Sequence, residues 1–120
     1  MMEIFREFSF EAAHQLPNVR SGHKCARMHG HSYRVEIRVR GPAGADTGWV
    51  LDFADIKDAF GPLREQLDHQ CLNDIDGLEN PTSENLARWI WDRLAGTLPL
   101  SAVQVRETAA SGCVYTGDAG

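Results

Sequence analysis

Residues 33–40, YRVEIRVR, constrain the fold more than any other stretch. Tyr33, Val35, Ile37 and Val39 fall on one parity and Arg34, Glu36, Arg38 and Arg40 on the other. A period of two over eight residues specifies a strand with one buried and one solvated face. Such a strand belongs to a sheet covered on one side only. Directly ahead of it stands CARMHGHS, residues 25–32, in which His29 and His31 continue the apolar parity. A core strand needs neither histidine.

The preceding residues 3–13 read as a second strand, with Ile4, Phe8, Phe10 and Ala12 on one parity and Glu3, Glu7, Ser9 and Glu11 on the other. Phe5 and Arg6 interrupt the pattern, and His14 continues the apolar side. Pro17, Asn18, Ser21 and Gly22 mark residues 15–28 as a loop. Beyond the turn-rich residues 41–48, Phe53, Ile56, Phe60, Leu63 and Leu67 recur at helical spacing, with Asp52 placed as the N-cap. Gly61-Pro62 predicts a kink or break within this helix. A second helix is expected from PTSEN, capped by Thr82 or Ser83, with Leu86, Ile90, Leu94 and a tryptophan (Trp89 or Trp91) inward. Residues 102–108 and 113–116 read as two closing strands. The order ββααββ predicts an α+β fold, a four-stranded antiparallel sheet with two helices on one face and edges open to pairing with other subunits.

The chain has 120 residues, expected to form one domain spanning 1–120, and 42% of them are hydrophobic, the share of a soluble globular protein. Seventeen acidic against twelve basic residues give a net charge of −5. That balance argues against nucleic-acid and membrane-surface binding, which need a basic face. Cys25, Cys71 and Cys113 are odd in number and widely spaced, so no disulfide framework is implied and a cytoplasmic location is expected. The N-terminal residues carry charges throughout, and neither a signal peptide nor a membrane span is expected.

His29 and His31, two apart on a strand, project from the same side, and His14 ends the neighbouring strand on its own apolar side. Pairing of the two strands would gather three neutral imidazoles. That donor set suits Zn²⁺ and leaves a fourth position for water or substrate. Cys25 has two readings. It could close the site as a fourth ligand, or stand beside an open zinc as a nucleophile or base. Arg20, His23, Lys24 and Arg27 give it the cationic surroundings that activate a thiol, although a solvated basic loop is the plainer explanation of those four. Asp68-His69 follows the first helix. The Asp could orient the imidazole for proton transfer, or the His could simply complement a helix C-terminus. Glu107 shares parity with Val103 and Val105. A carboxylate there is either a solvated edge residue or an acceptor for the paired N–H donors of a 2-amino-4-oxo pyrimidine ring.

Taken in order, FSFEAAHQLP, GHKCARMHGHSYRVEI, GWVLDFADIK, LDHQCLND, ENPTSENLARWIW and RETAASGCVYTG resemble the 6-pyruvoyltetrahydropterin synthase superfamily over nearly the whole chain. Within it, the spacing C-x₃-H-G-H is most similar to the bacterial carboxy-forming members of the queuosine pathway. The resemblance implies the tunnelling fold, with subunit sheets joined into an oligomeric barrel, a trimer or a dimer of trimers. It implies His14, His29 and His31 as zinc ligands, Cys25 as the catalytic cysteine, and Asp68 and His69 as the pair that activates it. It implies that Glu107 anchors a pterin ring, with Thr82 and Ser83 as hydroxyl residues near that ring. The substrate implied is a small-molecule pterin triphosphate, and the active sites would lie between subunits, so that Asp68-His69 could serve a neighbour's Cys25. Cys71 stands where relatives often carry an aromatic residue. Two other readings remain open: a pyruvoyl-forming enzyme that eliminates triphosphate only, and a non-enzymatic module in which Cys25 completes a closed zinc site.

Overall fold

The computed structural model describes residues 1–118. Two long strands, β1 (Met2–His14) and β2 (His29–Gly41), pair antiparallel along their full length, from Met2 opposite Gly41 to His14 opposite His29. Phe5 and Arg6 do not interrupt β1. Arg6 keeps the inward parity by carrying its guanidinium to the Phe53 carbonyl, 3.1 Å away, and Phe5 simply faces out, 58% exposed.

After β2 comes α1 (Phe53–Leu67), capped by the Asp52 carboxylate, which accepts from the Ala54 N–H at 2.9 Å. The helix runs through Gly61-Pro62 without the expected break. Pro62 and Asp58, whose carbonyl loses its helical donor to the proline, both face solvent, where water can replace that donor. Ile56, Phe60, Leu63 and Leu67 form the buried stripe as expected. Phe53 does not join it, being the first helical residue and half exposed.

A two-residue strand, β3 (Gln70–Cys71), then pairs in parallel with Ala12 and Ala13 of β1. The expected four-stranded sheet is therefore five-stranded. Two residues are too few to show periodicity, and only the tertiary turn at the end of α1 brings them to the β1 edge. Next is α2 (Ser83–Leu94), whose N-cap is Thr82, with Oγ1 accepting from the Asn85 N–H at 3.1 Å. Then β4 (Leu100–Thr108) lies against β2 with Val35 opposite Val105, and β5 (Ser111–Tyr115) returns beside β4 after Ala109-Ala110. The sheet order is β3-β1-β2-β4-β5.

Both helices cover the face carrying Phe10, Tyr33, Val35, Ile37, Val103 and Val105. Each fully buried apolar side chain of this layer contributes about 1.5–3 kcal/mol. The opposite face is held by surface ion pairs such as Arg34–Glu7 and Arg38–Glu36, which add little stability but keep it wet. Long paired strands fix register residue by residue, since a slip by one would turn every buried side chain to solvent. This register sets His14 against His29 at one end of the sheet.

Candidate metal and substrate site

The three imidazoles converge. His14 ends β1, His29 starts β2 directly opposite, and His31 follows on the same face, so that one nitrogen from each lies within 4.8 Å of the others. The backbone decides which nitrogens face inward. His14 Nδ1 donates to the Pro81 carbonyl at 2.8 Å, and His29 Nδ1 donates to the Arg27 carbonyl at 2.7 Å. A carbonyl only accepts, so both rings carry their proton on Nδ1 and present a bare lone pair at Nε2. These two Nε2 atoms stand 3.0 Å apart, and two lone pairs at that separation repel. His31 Nε2 is buried without any hydrogen-bond partner. The residues therefore fit a cation held among three neutral imidazoles, the donor set and number of an open zinc site.

His14 is almost wholly buried. Burial holds its imidazole below the ordinary histidine range, and the neighbouring His29 and His31 push the same way; the Pro81 carbonyl and the Glu107 charge oppose them. The hydroxyl of Tyr33 lies 3.1 Å from the same Nδ1. Burial, reinforced by the Glu107 charge, pushes the Tyr33 phenol far above its usual range and keeps it neutral.

Cys25 sits in a one-turn 3-10 helix, residues 24–26. Its N–H donates to His23 Nδ1 at 3.0 Å, and its carbonyl accepts from the Leu16 N–H at 2.8 Å. That second bond ties the thiol's backbone to the residue two beyond His14. Cys25 lines a cleft of about 430 Å³ together with Lys24, His29, His31, Glu107, Thr108 and Ser111. Cys25 is not among the residues that converge as metal donors. Glu107 Oε2 lies 3.8 Å from His31 Nε2, outside hydrogen-bond reach, so its acceptor capacity is not spent on that ring.

Asp68 and His69 are brought together, with Asp68 Oδ2 3.0 Å from His69 Nδ1. Asp68 also closes α1, accepts the Glu11 N–H at 3.0 Å and lies 3.6 Å from Arg64. The Glu11 bond chiefly, with His69 and Arg64, holds its carboxyl below the usual carboxylate range. His69 adopts a left-handed backbone, φ +59°, uncommon for a residue with a Cβ and held by its N–H bond to the Glu11 carbonyl. This conformation turns the imidazole out, 77% exposed, beside a second cleft of about 520 Å³ lined by Glu11, Gly30, His31, Ser32 and Cys71. His69 and Cys25 thus line different clefts of one chain.

Thr82 and Ser83 lie at the start of α2. The Thr82 hydroxyl is engaged as the N-cap, and neither residue lines the Cys25 cleft. Burial pushes the Cys113 thiol up, with the charges of Glu84 and Glu107 adding to it. Sequence reasoning missed Tyr33 and the two carbonyls behind the histidines. Backbone partners leave no mark in a sequence. A tyrosine in a row otherwise filled by Val and Ile was the available signal.

The pattern defining the family described as 6-pyruvoyl tetrahydropterin synthase matches residues 3–118. The chain belongs to that family. It is 47% identical to the 6-carboxy-5,6,7,8-tetrahydropterin synthase of Synechocystis sp., over 96% of this chain and 93% of the relative. It is 35% identical to the 6-pyruvoyl tetrahydrobiopterin synthase of Poecilia reticulata, over 96% of this chain and 90% of the relative. Among solved structures, the 6-pyruvoyl tetrahydropterin synthase of Caenorhabditis elegans superposes with a TM-score of 0.89 at 27% identity, covering 98% of this chain and 96% of that one. Among the described residues no helix is long and apolar enough to cross a membrane.

Proposed function

We propose that the chain is a zinc-dependent lyase, a 6-carboxy-5,6,7,8-tetrahydropterin synthase of queuosine (7-deazaguanine) biosynthesis. It would convert 7,8-dihydroneopterin triphosphate and water into 6-carboxy-5,6,7,8-tetrahydropterin, acetaldehyde and triphosphate. The observation that carries this reading is one cleft bounded by Cys25, Glu107 and two of three converging imidazoles. The name borne by the Synechocystis relative supports it.

His14, His29 and His31 would hold the zinc, His14 and His29 through the Nε2 atoms that their backbone contacts leave bare. When bound, the ion supplies Lewis-acid polarisation of the substrate's side-chain oxygens. Glu107 accepts the two adjacent N–H groups of the pterin ring and so orients the side chain toward the imidazoles. Cys25, on the cleft wall, removes a proton from the side chain as general base. Asp68 holds the His69 ring at Nδ1 and leaves Nε2 to exchange protons with a thiol. Since that ring turns away into a different cleft, it serves Cys25 of a neighbouring copy in a homo-oligomer, a trimer or a dimer of trimers. Lys24 and Arg27 are the candidates to meet the triphosphate, and of the two Lys24 lines this cleft. Thr82 and Ser83 are the hydroxyl residues that the family resemblance puts near the ring. The working location is the cytoplasm, where three unpaired thiols stay reduced.

A second reading, elimination of triphosphate without carbon–carbon cleavage, is favoured by the likeness to the Poecilia protein. One experiment separates them: incubation with dihydroneopterin triphosphate, with and without a chelator, followed by product identification. Acetaldehyde and the carboxylated pterin, both abolished by the chelator, are expected. A product retaining all three side-chain carbons would establish the second reading. Undiminished turnover after complete zinc removal would overturn the metal's role.

A further inference from the structure

We propose that Tyr33 is a positioning residue of the three-histidine centre, its hydroxyl fixing the rotation of the His14 ring so that Nε2 stays turned toward His29 and His31. This rests on the metal-site reading above. The Pro81 carbonyl decides which His14 nitrogen bears the proton, but one acceptor at 2.8 Å does not by itself fix the ring's rotation. The Tyr33 hydroxyl, 3.1 Å from the same nitrogen, adds a second contact that restrains this rotation.

The hydroxyl is itself placed by packing. Tyr33 is fully buried and stacks on Phe10 with ring centres 5.0 Å apart and planes 11° from parallel. Its ring meets His14 nearly at right angles at 5.9 Å and His31 at 5.5 Å, so it braces two of the three imidazoles. The rest of its strand face is filled by Val35, Ile37 and Val39, all buried. A hydroxyl in that row costs stability unless bonded, and its oxygen is placed to accept a second branch of the His14 Nδ1–H bond.

Tyr33→Phe keeps the stack and deletes the hydroxyl alone. Zinc affinity is measured by competition with a chromophoric chelator, the visible absorption of Co²⁺-loaded protein reports ligand geometry, and circular dichroism checks the fold. The expected result is roughly 10- to 100-fold weaker zinc binding and an altered Co²⁺ band in a folded protein. Unchanged affinity and an unchanged Co²⁺ band would overturn the proposal while leaving the metal site standing. A wild-type protein that binds no zinc would overturn both. If the Phe variant does not fold, nuclear magnetic resonance of the zinc-loaded wild type decides. A slowly exchanging His14 Nδ1 proton with a cross-peak to the Tyr33 ring supports the role, and the absence of either refutes it.

Discussion

Glu107→Gln is the substitution that bears most directly on substrate recognition. The carboxylate stands on the cleft wall with its side chain 27% exposed, and its nearest ionic neighbour, His31 Nε2, is 3.8 Å away. Both oxygens are therefore open to a ring edge with two parallel N–H groups. Glutamine keeps the shape and one acceptor but turns an N–H₂ toward a donor. The loss is one charge-assisted hydrogen bond, about 1.5–3 kcal/mol, or roughly 10- to 150-fold in pterin affinity. Because Glu107 packs at the rim of the core, folding stability should change by no more than about 0.5 kcal/mol. Zinc content should not change. Calorimetric titration with the dihydropterin, run beside metal analysis and thermal melts, checks all three quantities. Pterin affinity within twofold of the wild type, in a folded and zinc-loaded variant, would remove Glu107 from ring recognition and with it the orientation argued for the side chain.

Cys25→Ala should retain zinc and fold normally while turnover collapses; joint loss of zinc and fold would instead make the thiol a structural ligand, as metal analysis and circular dichroism would show. His29→Ala should lose zinc and activity with the sheet intact, since the residue is only half-buried at the start of β2; full activity without metal would contradict this. The metal-free protein should lose stability as pH falls. The native His14 pKa lies below the unfolded value near 6.5, so the unfolded chain binds the extra proton first. The contribution is complete above about pH 6.5 and is lost as pH drops toward the depressed native pKa. Urea midpoints across that range, compared with those of His14→Gln, test the assignment.

The fold was readable where periodicity ran long. β2 alternates over the whole of residues 33–40, and its register with β1 follows from burying one face of each. The two helices announced themselves through Ile56, Phe60, Leu63, Leu67 and Leu86, Ile90, Leu94. What escaped was short or tertiary. β3 has two residues and exists because the left-handed turn at His69 delivers the chain to the β1 edge. Phe53 matched the helical spacing yet lies outside the core, because spacing cannot tell the first turn of a helix from the turns that reach the sheet. Of the candidate site, the three histidines could be placed by parity alone. The separation of Asp68-His69 from Cys25 was implied by the family resemblance and not by parity, because it depends on a backbone conformation that an imidazole-bearing residue rarely adopts.

The backbone bond from Leu16 to the Cys25 carbonyl cinches the loop at its neck. The excursion between them, with Gly22 at φ +84° and nothing within 4 Å of where a side chain would grow, hangs outside that knot. Residues 17–22 are thus the place where this chain can tolerate a change of length. Insertions there would enlarge the bight and leave the sulfur where it was, at a closure cost that grows only slowly with loop size. A longer or shorter excursion offers a way to change this surface without retuning the chemistry of the cleft.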